Sequence, residues 1–373
     1  MKIAVNTRLL LKDKLEGIGT FMDETLKRIT TLHPEIEFHF FFDRKFDKSF
    51  IYSDNVIPHV IQPTTRHPLL VKLWFKFIVP RKMKKLGIKH ILSPDSLGFY
   101  SKQISNHLVI HDINFVHRPE DLPQVHRKFY LKNTPIFARN ASQIATVSAY
   151  SKQDLVATYN IDPKKIDVVY NAAKNIFRPL DHQEKDKIKQ TFSYGKEYFL
   201  FVGSLHPRKN LPNLISAFFE FKKKSNASMK LLIIGNLMWE TDGLKDLLSS
   251  SKYSQDVLFL GRKSDEQLAQ ILGAAFALSY VPFFEGFGIP IVEAFACETA
   301  VITSNTTCMP EVSGEGALMV DPHEIQDICG AMITLYSNPT FREELIQKGK
   351  EKGATYSWDN TAKLYWESIQ KSL

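Results

Sequence analysis

The sequence predicts an α/β protein of two doubly wound, Rossmann-like domains with a cleft between them. Two observations carry that prediction. Short apolar runs alternate with stretches of helical spacing through both halves of the chain. The length, 373 residues, is too great for one ordinary core and suggests two. Composition agrees with a globular class, at 44% hydrophobic and 24% charged residues.

The first strand is residues 2–6. A loop with Gly17-Ile18-Gly19-Thr20 follows, and Phe21, Thr25, Leu26 and Ile29 continue at helical spacing. A glycine turn opening a helix after the first strand is a layout that cradles phosphate, although the same pair also suits a plain tight turn. Glu37 to Phe42 is a strongly apolar strand. Leu69 to Leu86 reads as a helix with Leu70, Leu73, Trp74, Phe77 and Ile78 on one side and a run of lysines and arginines added, with Pro80 a point of breakage. It is either an interfacial membrane helix or a domain helix with an apolar face on the sheet and solvated lysines.

His90–Pro94 and His107–Ile110 read as strands, the second ending at His111-Asp112. Polar residues at the carboxyl end of a parallel strand lie where open α/β sheets bind ligands. His111 suits donation to a sugar hydroxyl or stabilisation of charge near an anomeric centre; from composition alone it reads first as a histidine satisfied within its loop. Ile144–Leu155 is strand then helix, with Ser148 or Ser151 as N-cap, and Ile166–Asn171 is one more strand. From there to about Gln183 the chain reads as a linker.

The second half starts anew with the strand Tyr198–Gly203 and the turn Ser204-Leu205-His206-Pro207-Arg208-Lys209-Asn210. Two cations at a strand-to-helix turn suit phosphate oxygens and a departing diphosphate. Lys230–Gly235 and Val257–Gly261 are further strands, the latter followed by Arg262-Lys263 and by Ser264 as a helix cap. The stretch Ala275–Val281 reads as a buried strand. Beyond it, Glu285-Gly286-Phe287-Gly288-Ile289 is a glycine turn, and a helix with Pro290 in its first turn carries Glu293 about one turn inside. The helix start suits an anion, and the two carboxylates suit hydroxyl-rich groups such as a sugar and a ribose. Ala300–Ser304 is a strand, and Tyr356–Asp359 starts a final helix.

Charge is uneven. Residues 1–170 hold 26 Lys and Arg against 16 Asp and Glu, and the remainder 22 against 24. A basic first half favours an anionic partner, with lipid preferred because no nucleic-acid motif occurs. No apolar run reaches the length of a membrane span, and Met1–Asn6 enters a strand directly, without signal-peptide architecture. Cys297, Cys308 and Cys329 show no metal spacing and read as reduced thiols of a cytoplasmic protein, with a place on the inner face of the cell membrane left open.

Glu285 and Glu293, bracketing Gly-Phe-Gly, resemble the E-x7-E signature of the retaining glycosyltransferases of family 4 (group 1), which have the GT-B fold. Glu293-Ala-Phe-Ala-Cys297 resembles that family's E-A-x-A-C-G, with Glu298 in the place of glycine. Val147–Leu155, Pro207–Leu211 and Pro310–Val312 resemble further family segments, and Ser204 stands where some members carry arginine. The wording is most similar to mannosyltransferase-like members.

The resemblance implies residues 1–175 as an acceptor-side domain, 176–355 as a nucleotide-sugar domain, and 356–373 as a helix crossing back to the first. It implies catalytic roles for His111, Arg208, Lys209 and Glu285. Donor contacts fall to Gly17, Gly19, Gly203, Arg262, Lys263, Gly286, Phe287, Gly288, Ile289 and Glu293. The implied reaction moves a hexose from a nucleoside-diphosphate sugar, GDP-mannose first, to a hydroxyl of a glycan or lipid-linked acceptor with retention, in surface polysaccharide assembly. No Asp-x-Asp occurs, so no metal or other cofactor is expected. The rival readings are a same-fold enzyme with another reaction and a non-catalytic sugar-nucleotide or glycan-binding module.

Overall fold

A computed structural model of the chain describes residues 1–12, 14–235 and 242–373. The chain divides into two compact units, one of Met1–Asn171 with Trp358–Leu373 and one of Ala172–Ser357. Each is built on one all-parallel sheet with helical crossovers. A sheet covered on both faces needs strands that are apolar throughout, which is why these strands read as unbroken runs rather than alternations.

The strands of the first unit are β1 (Lys2–Asn6), β2 (Glu37–Phe42), β3 (Val56–Val60), β4 (His90–Ser93), β5 (Ser105–Val109), β6 (Gln143–Thr146) and β7 (Ile166–Val168). Their spatial order is β3-β2-β1-β4-β5-β6-β7, so the winding reverses between β1 and β4. Ile91, Leu108 and Ile144 of the sheet pack with Trp74, Phe75, Val79 and Met83. Ser148 caps the helix Ala149–Tyr159 by accepting from the Ser151 amide.

The helix Trp358–Gln370 belongs to this unit and lies along the helix Gly17–Leu32. Its Tyr365 ring is 5.3 Å from Phe21 and 5.2 Å from His107. Its Thr361 donates to the Tyr170 carbonyl at 2.6 Å.

Two expectations need correction here. The segment after β3 does not break at Pro80; it runs as Pro68–Leu73, a wide π turn Trp74–Ile78, and Val79–Leu86. Proline has no N–H to give and crowds the carbonyl four residues back, and a wide turn just before it relieves both. The apolar residues therefore do not share one side: Trp74 is fully buried, whereas Leu73 and Phe77 are 41% and 40% exposed. The second correction concerns Gly17 and Gly19, which lie in the first turn of the helix Gly17–Leu32 rather than in a turn ahead of it.

The second unit has β8 (Tyr198–Val202), β9 (Lys230–Ile234), β10 (Val257–Gly261), β11 (Ala277–Tyr280), β12 (Ala300–Ser304) and β13 (Ala317–Val320). The order is β10-β9-β8-β11-β12-β13, with the reversal between β8 and β11. Residues 169–180 have no regular structure. The helix His182–Ser193 then starts with a reciprocal cap between Asp181 and Glu184. Ser264 and Gln267 cap the helix Asp265–Gly273 in the same way. Glu298 takes φ 53°, so it holds the left-handed backbone that glycine prefers at a helix end, and its carboxylate pairs with Lys350 at 2.6 Å.

Candidate active site

In an open parallel sheet the crevice outside the carboxyl ends of the strands, where the winding reverses, is the place a ligand reaches the most loop backbone. In the second unit that place is between β8 and β11, and the sequence puts charge on both sides of it. After β8 comes the tight turn Pro207–Lys209 with Arg208 and Lys209. After β11 comes the loop carrying Glu285. The two loops are tied together: the Phe283 amide donates to the Arg208 carbonyl at 2.8 Å, and Arg208 donates to the Phe284 carbonyl at 3.0 Å. Asn210 fixes the turn from below by donating to the carbonyls of Val281 (3.0 Å) and Pro322 (2.6 Å).

Glu285 is the hub. It is 6% exposed, and its Oε1 takes both the Arg208 guanidinium, at 2.5 Å, and the Lys209 ammonium. Burial pushes its carboxyl up, but the two cations outweigh burial and hold it at about 2. It is therefore ionised at neutral pH, and the trio carries a net single positive charge. Lys209 also donates to the Tyr280 hydroxyl at 2.5 Å and lies over that ring, 5.0 Å from its centroid. Burial first, then the Glu285 charge, raises the Tyr280 phenol well above its ordinary value, so Tyr280 stays neutral.

Glu293 contrasts with Glu285. It lies in the helix Ile289–Ala296, is partly exposed, and its carboxyl has no hydrogen bond or ion pair among the described residues. Burial, and then the nearby Asp265, push its carboxyl up to about 8, against a smaller downward pull from Lys174. Lys174 and Asp265 are themselves paired at 2.7 Å. A carboxyl with unfilled acceptor sites is what a ligand with vicinal hydroxyls can use.

Two glycines are required by geometry. Gly288, just before the helix, has φ 89°, and a Cβ there would stand 2.8 Å from the Met309 methyl. Gly235, at the end of β9, has φ 154°, and a Cβ there would overlap the Gly203 carbonyl oxygen. The ends of β8 and β9 thus meet backbone to backbone. Gly203 faces the Lys209 side chain. Phe287 is buried edge-on to Tyr356, with centroids 5.5 Å apart, which fixes the loop through Gly286 and Ile289. Arg262 and Lys263 follow β10, the edge strand two places from β8, and do not join the Glu285 cluster. Lys263 lies 5.7 Å from the Phe192 ring centroid.

In the first unit Gly17 is exposed at the helix start. Gly19 is buried there, where a Cβ would meet Leu15 at 3.0 Å and the Leu9 carbonyl at 3.1 Å. Gly19 is a packing requirement. His111, just past β5, is 8% exposed, stands edge-on to Phe21 at 5.2 Å, and has Nε2 2.9 Å from the Pro94 carbonyl. A carbonyl only accepts, so Nε2 carries the proton and the neutral ring keeps Nδ1 as an acceptor. Burial lowers the His111 pKa and favours that neutral form. The Nε2 proton of His111 is thus engaged by the Pro94 carbonyl, and Nδ1 is left as an acceptor.

Residue order hid two parts of these sites. Tyr280 ends a strand and reads as core. The buried ion pair of Arg8 and Asp95 joins the ends of β1 and β4, at the reversal of the first sheet. A positive charge shared by Arg208 and Lys209 can bind and stabilise an anion such as a diphosphate, with Glu285 fixing both cations in place.

Comparison with known proteins bears on what this arrangement serves. The O-antigen chain mannosyltransferase B of Escherichia coli is 27% identical over 96% of this chain and 97% of its own. The O-antigen chain mannosyltransferase RfbU of Salmonella typhimurium is 27% identical over 86% of both. The crystal structure of a glycosyltransferase from Rickettsia africae shares the fold over 100% of this chain and 98% of its own, with a TM-score of 0.74 at 14% identity. Residues 182–352 match the family of glycosyl transferases group 1, which takes in the β8–β11 crevice with Arg208, Lys209, Glu285 and Glu293. The second unit thus resembles a group 1 glycosyl transferase domain, and the chain as a whole has the GT-B fold.

Proposed function

We propose that the protein transfers a hexose, mannose first, from a nucleoside-diphosphate sugar to a hydroxyl of a glycan or lipid-linked acceptor, with retention, in the assembly of a surface polysaccharide. One observation carries the reading: Glu285 is held ionised between Arg208 and Lys209 at the reversal of the second sheet. Arg208, Lys209 and the amides of Gly286–Ile289 stabilise the departing diphosphate. Glu285 orients the sugar hydroxyls, and Glu293 accepts from the ribose. Gly203, Arg262 and Lys263 serve the nucleotide side, and His111 with the Gly17–Gly19 helix start serves the reaction side. No metal or other cofactor enters the proposal. Mannose as the sugar and the polysaccharide setting rest on the two relatives named above. Retention rests on the family resemblance, and an anionic membrane on the basic first half.

The test is a panel of nucleoside diphosphates and their sugars, read as thermal shift and as hydrolysis without acceptor. A specific ligand raises the melting temperature by mass action. A shift for one base, lost in Glu293→Ala, together with slow hydrolysis of the matching sugar, supports the reading. A shift with no hydrolysis or transfer favours the binding module. No shift with any nucleotide overturns both.

A further inference from the structure

Two helical segments of the first unit present an uncovered face of mixed apolar and cationic character. On Pro68–Leu86, Leu69, Leu73 and Phe77 are 70%, 41% and 40% exposed. On Gln124–Asn140, which touches Pro68–Leu73, Val125 and Leu131 are 54% and 42% exposed. Five of the twelve well-exposed large hydrophobic side chains among the described residues therefore lie on these two segments, which touch through Pro68–Leu73.

The wide turn at Trp74–Ile78 helps to make that patch. Residues four apart drift by about 40° around an ordinary α-helix. A turn of wider period reduces the drift, so Leu69, Leu73 and Phe77 stay near one line while Trp74 and Phe75 go inward.

Charge on this face has one sign. No acidic residue occurs between Asp54 and Asp95, or between Asp121 and Asp154. Among the described residues Lys72, Lys76, Lys84, Lys85, Lys128 and Lys132 have no carboxylate partner. Lys76 Nζ and the Arg81 guanidinium carbon lie 5.2 and 5.6 Å from the Phe77 ring centroid, so the exposed ring is flanked by cations.

We infer that this face docks on an anionic lipid bilayer, with Leu69, Leu73, Phe77, Val125 and Leu131 entering the acyl boundary and the lysines reaching the headgroup phosphates. Complementary charge selects an anionic partner. Exposed leucines, valine and phenylalanine at the centre of the patch select lipid over nucleic acid, whose backbone is read by polar groups. No helix among the described residues is long and apolar enough to cross a membrane, so the contact is interfacial. The inference names the surface through which the membrane part of the proposed function is met. Its test reads no catalysis, so the two fail separately.

The experiment is sedimentation of the full chain with phosphatidylcholine vesicles, without and with phosphatidylglycerol. The expected result is binding to the phosphatidylglycerol vesicles only, weakened at least tenfold between about 50 and about 500 mM salt. The variant Lys72→Gln/Lys76→Gln/Lys84→Gln/Lys85→Gln lowers it about a hundredfold, and Leu73→Ser/Phe77→Ser about tenfold. All of these side chains are exposed, and circular dichroism with melting temperature verifies the fold of each variant. No binding to phosphatidylglycerol vesicles at low salt overturns the inference, as does binding by both variants equal to that of the native chain. Tighter binding to a nucleic-acid duplex that ignores Leu73→Ser/Phe77→Ser also overturns it, by assigning the face to a different polyanion.

Discussion

The two sheets are wound alike, yet the crevices at their reversals differ in how charge is balanced. Between β1 and β4 one buried carboxylate, Asp95, meets one guanidinium, Arg8, and the charges cancel. Between β8 and β11 one buried carboxylate, Glu285, meets two cations. A cancelled pair fixes loops. Two cations on one carboxylate fix loops and also suit an anion. The same fold position thus holds a one-to-one ion pair in one unit and two cations on one carboxylate in the other.

That contrast can be broken most directly through stability. Glu285→Gln strands two cations in a buried site and should cost about 3–5 kcal/mol in denaturant unfolding. Asp95→Asn strands one, and a smaller loss is expected; an equal or larger loss would remove the distinction. Activity gives the next largest effect. Lys209→Ala should lower the transfer rate about 10²- to 10³-fold, whereas Arg8→Ala should change it by less than about tenfold, since Arg8 has an architectural partner. Comparable losses in steady-state kinetics would place both crevices in the chemistry.

The carboxylate next in line gives a pH signature. Glu293 titrates near 8 in the folded protein and near 4.5 when unperturbed. Between those values the folded state holds a proton that the unfolded chain has lost, so this group lowers stability as pH rises across the window. A ribose bound to Glu293 favours the ionised form. Nucleotide binding should therefore release a proton at pH 7, and affinity should fall by up to about tenfold per unit as pH drops below 8. Calorimetry in buffers of different ionisation enthalpy measures this, and Glu293→Gln should abolish it. The smallest effect is at His111, where a ¹⁵N spectrum should show a neutral ring protonated at Nε2. A ring protonated at Nδ1 alone would contradict the bond to Pro94.

How much of this was legible in the sequence depended on distance along the chain. The alternation of strands and helices is local, so the parallel, doubly wound class of both sheets could be read, while their strand order could not. Arg208-Lys209 and the Glu285–Glu293 spacing are local too, so their places at strand ends could be read. That the cations close on Glu285 is a contact across more than seventy positions, and Lys209 to Tyr280 spans 71. Arg8 and Asp95 are 87 positions apart, and nothing in either neighbourhood names the other. Exposure was the other hidden quantity. Leu73 and Phe77 share helical spacing with buried Trp74, and only the wide turn before Pro80 decides which faces out.

The helix Trp358–Gln370 has a consequence for how the chain is made. It completes the first unit, covering Phe21 and His107, after all of the second unit has been synthesised. A ribosome therefore releases Ala172–Ser357 as a contiguous segment able to fold while the earlier unit still waits for its last piece. During that interval the face around Phe21 is bare, and a growing chain must keep it from other partners. Joining the late helix ahead of Met1 through a flexible linker would let the first unit finish first, and the refolding yield of such a permuted chain would show how much that wait matters.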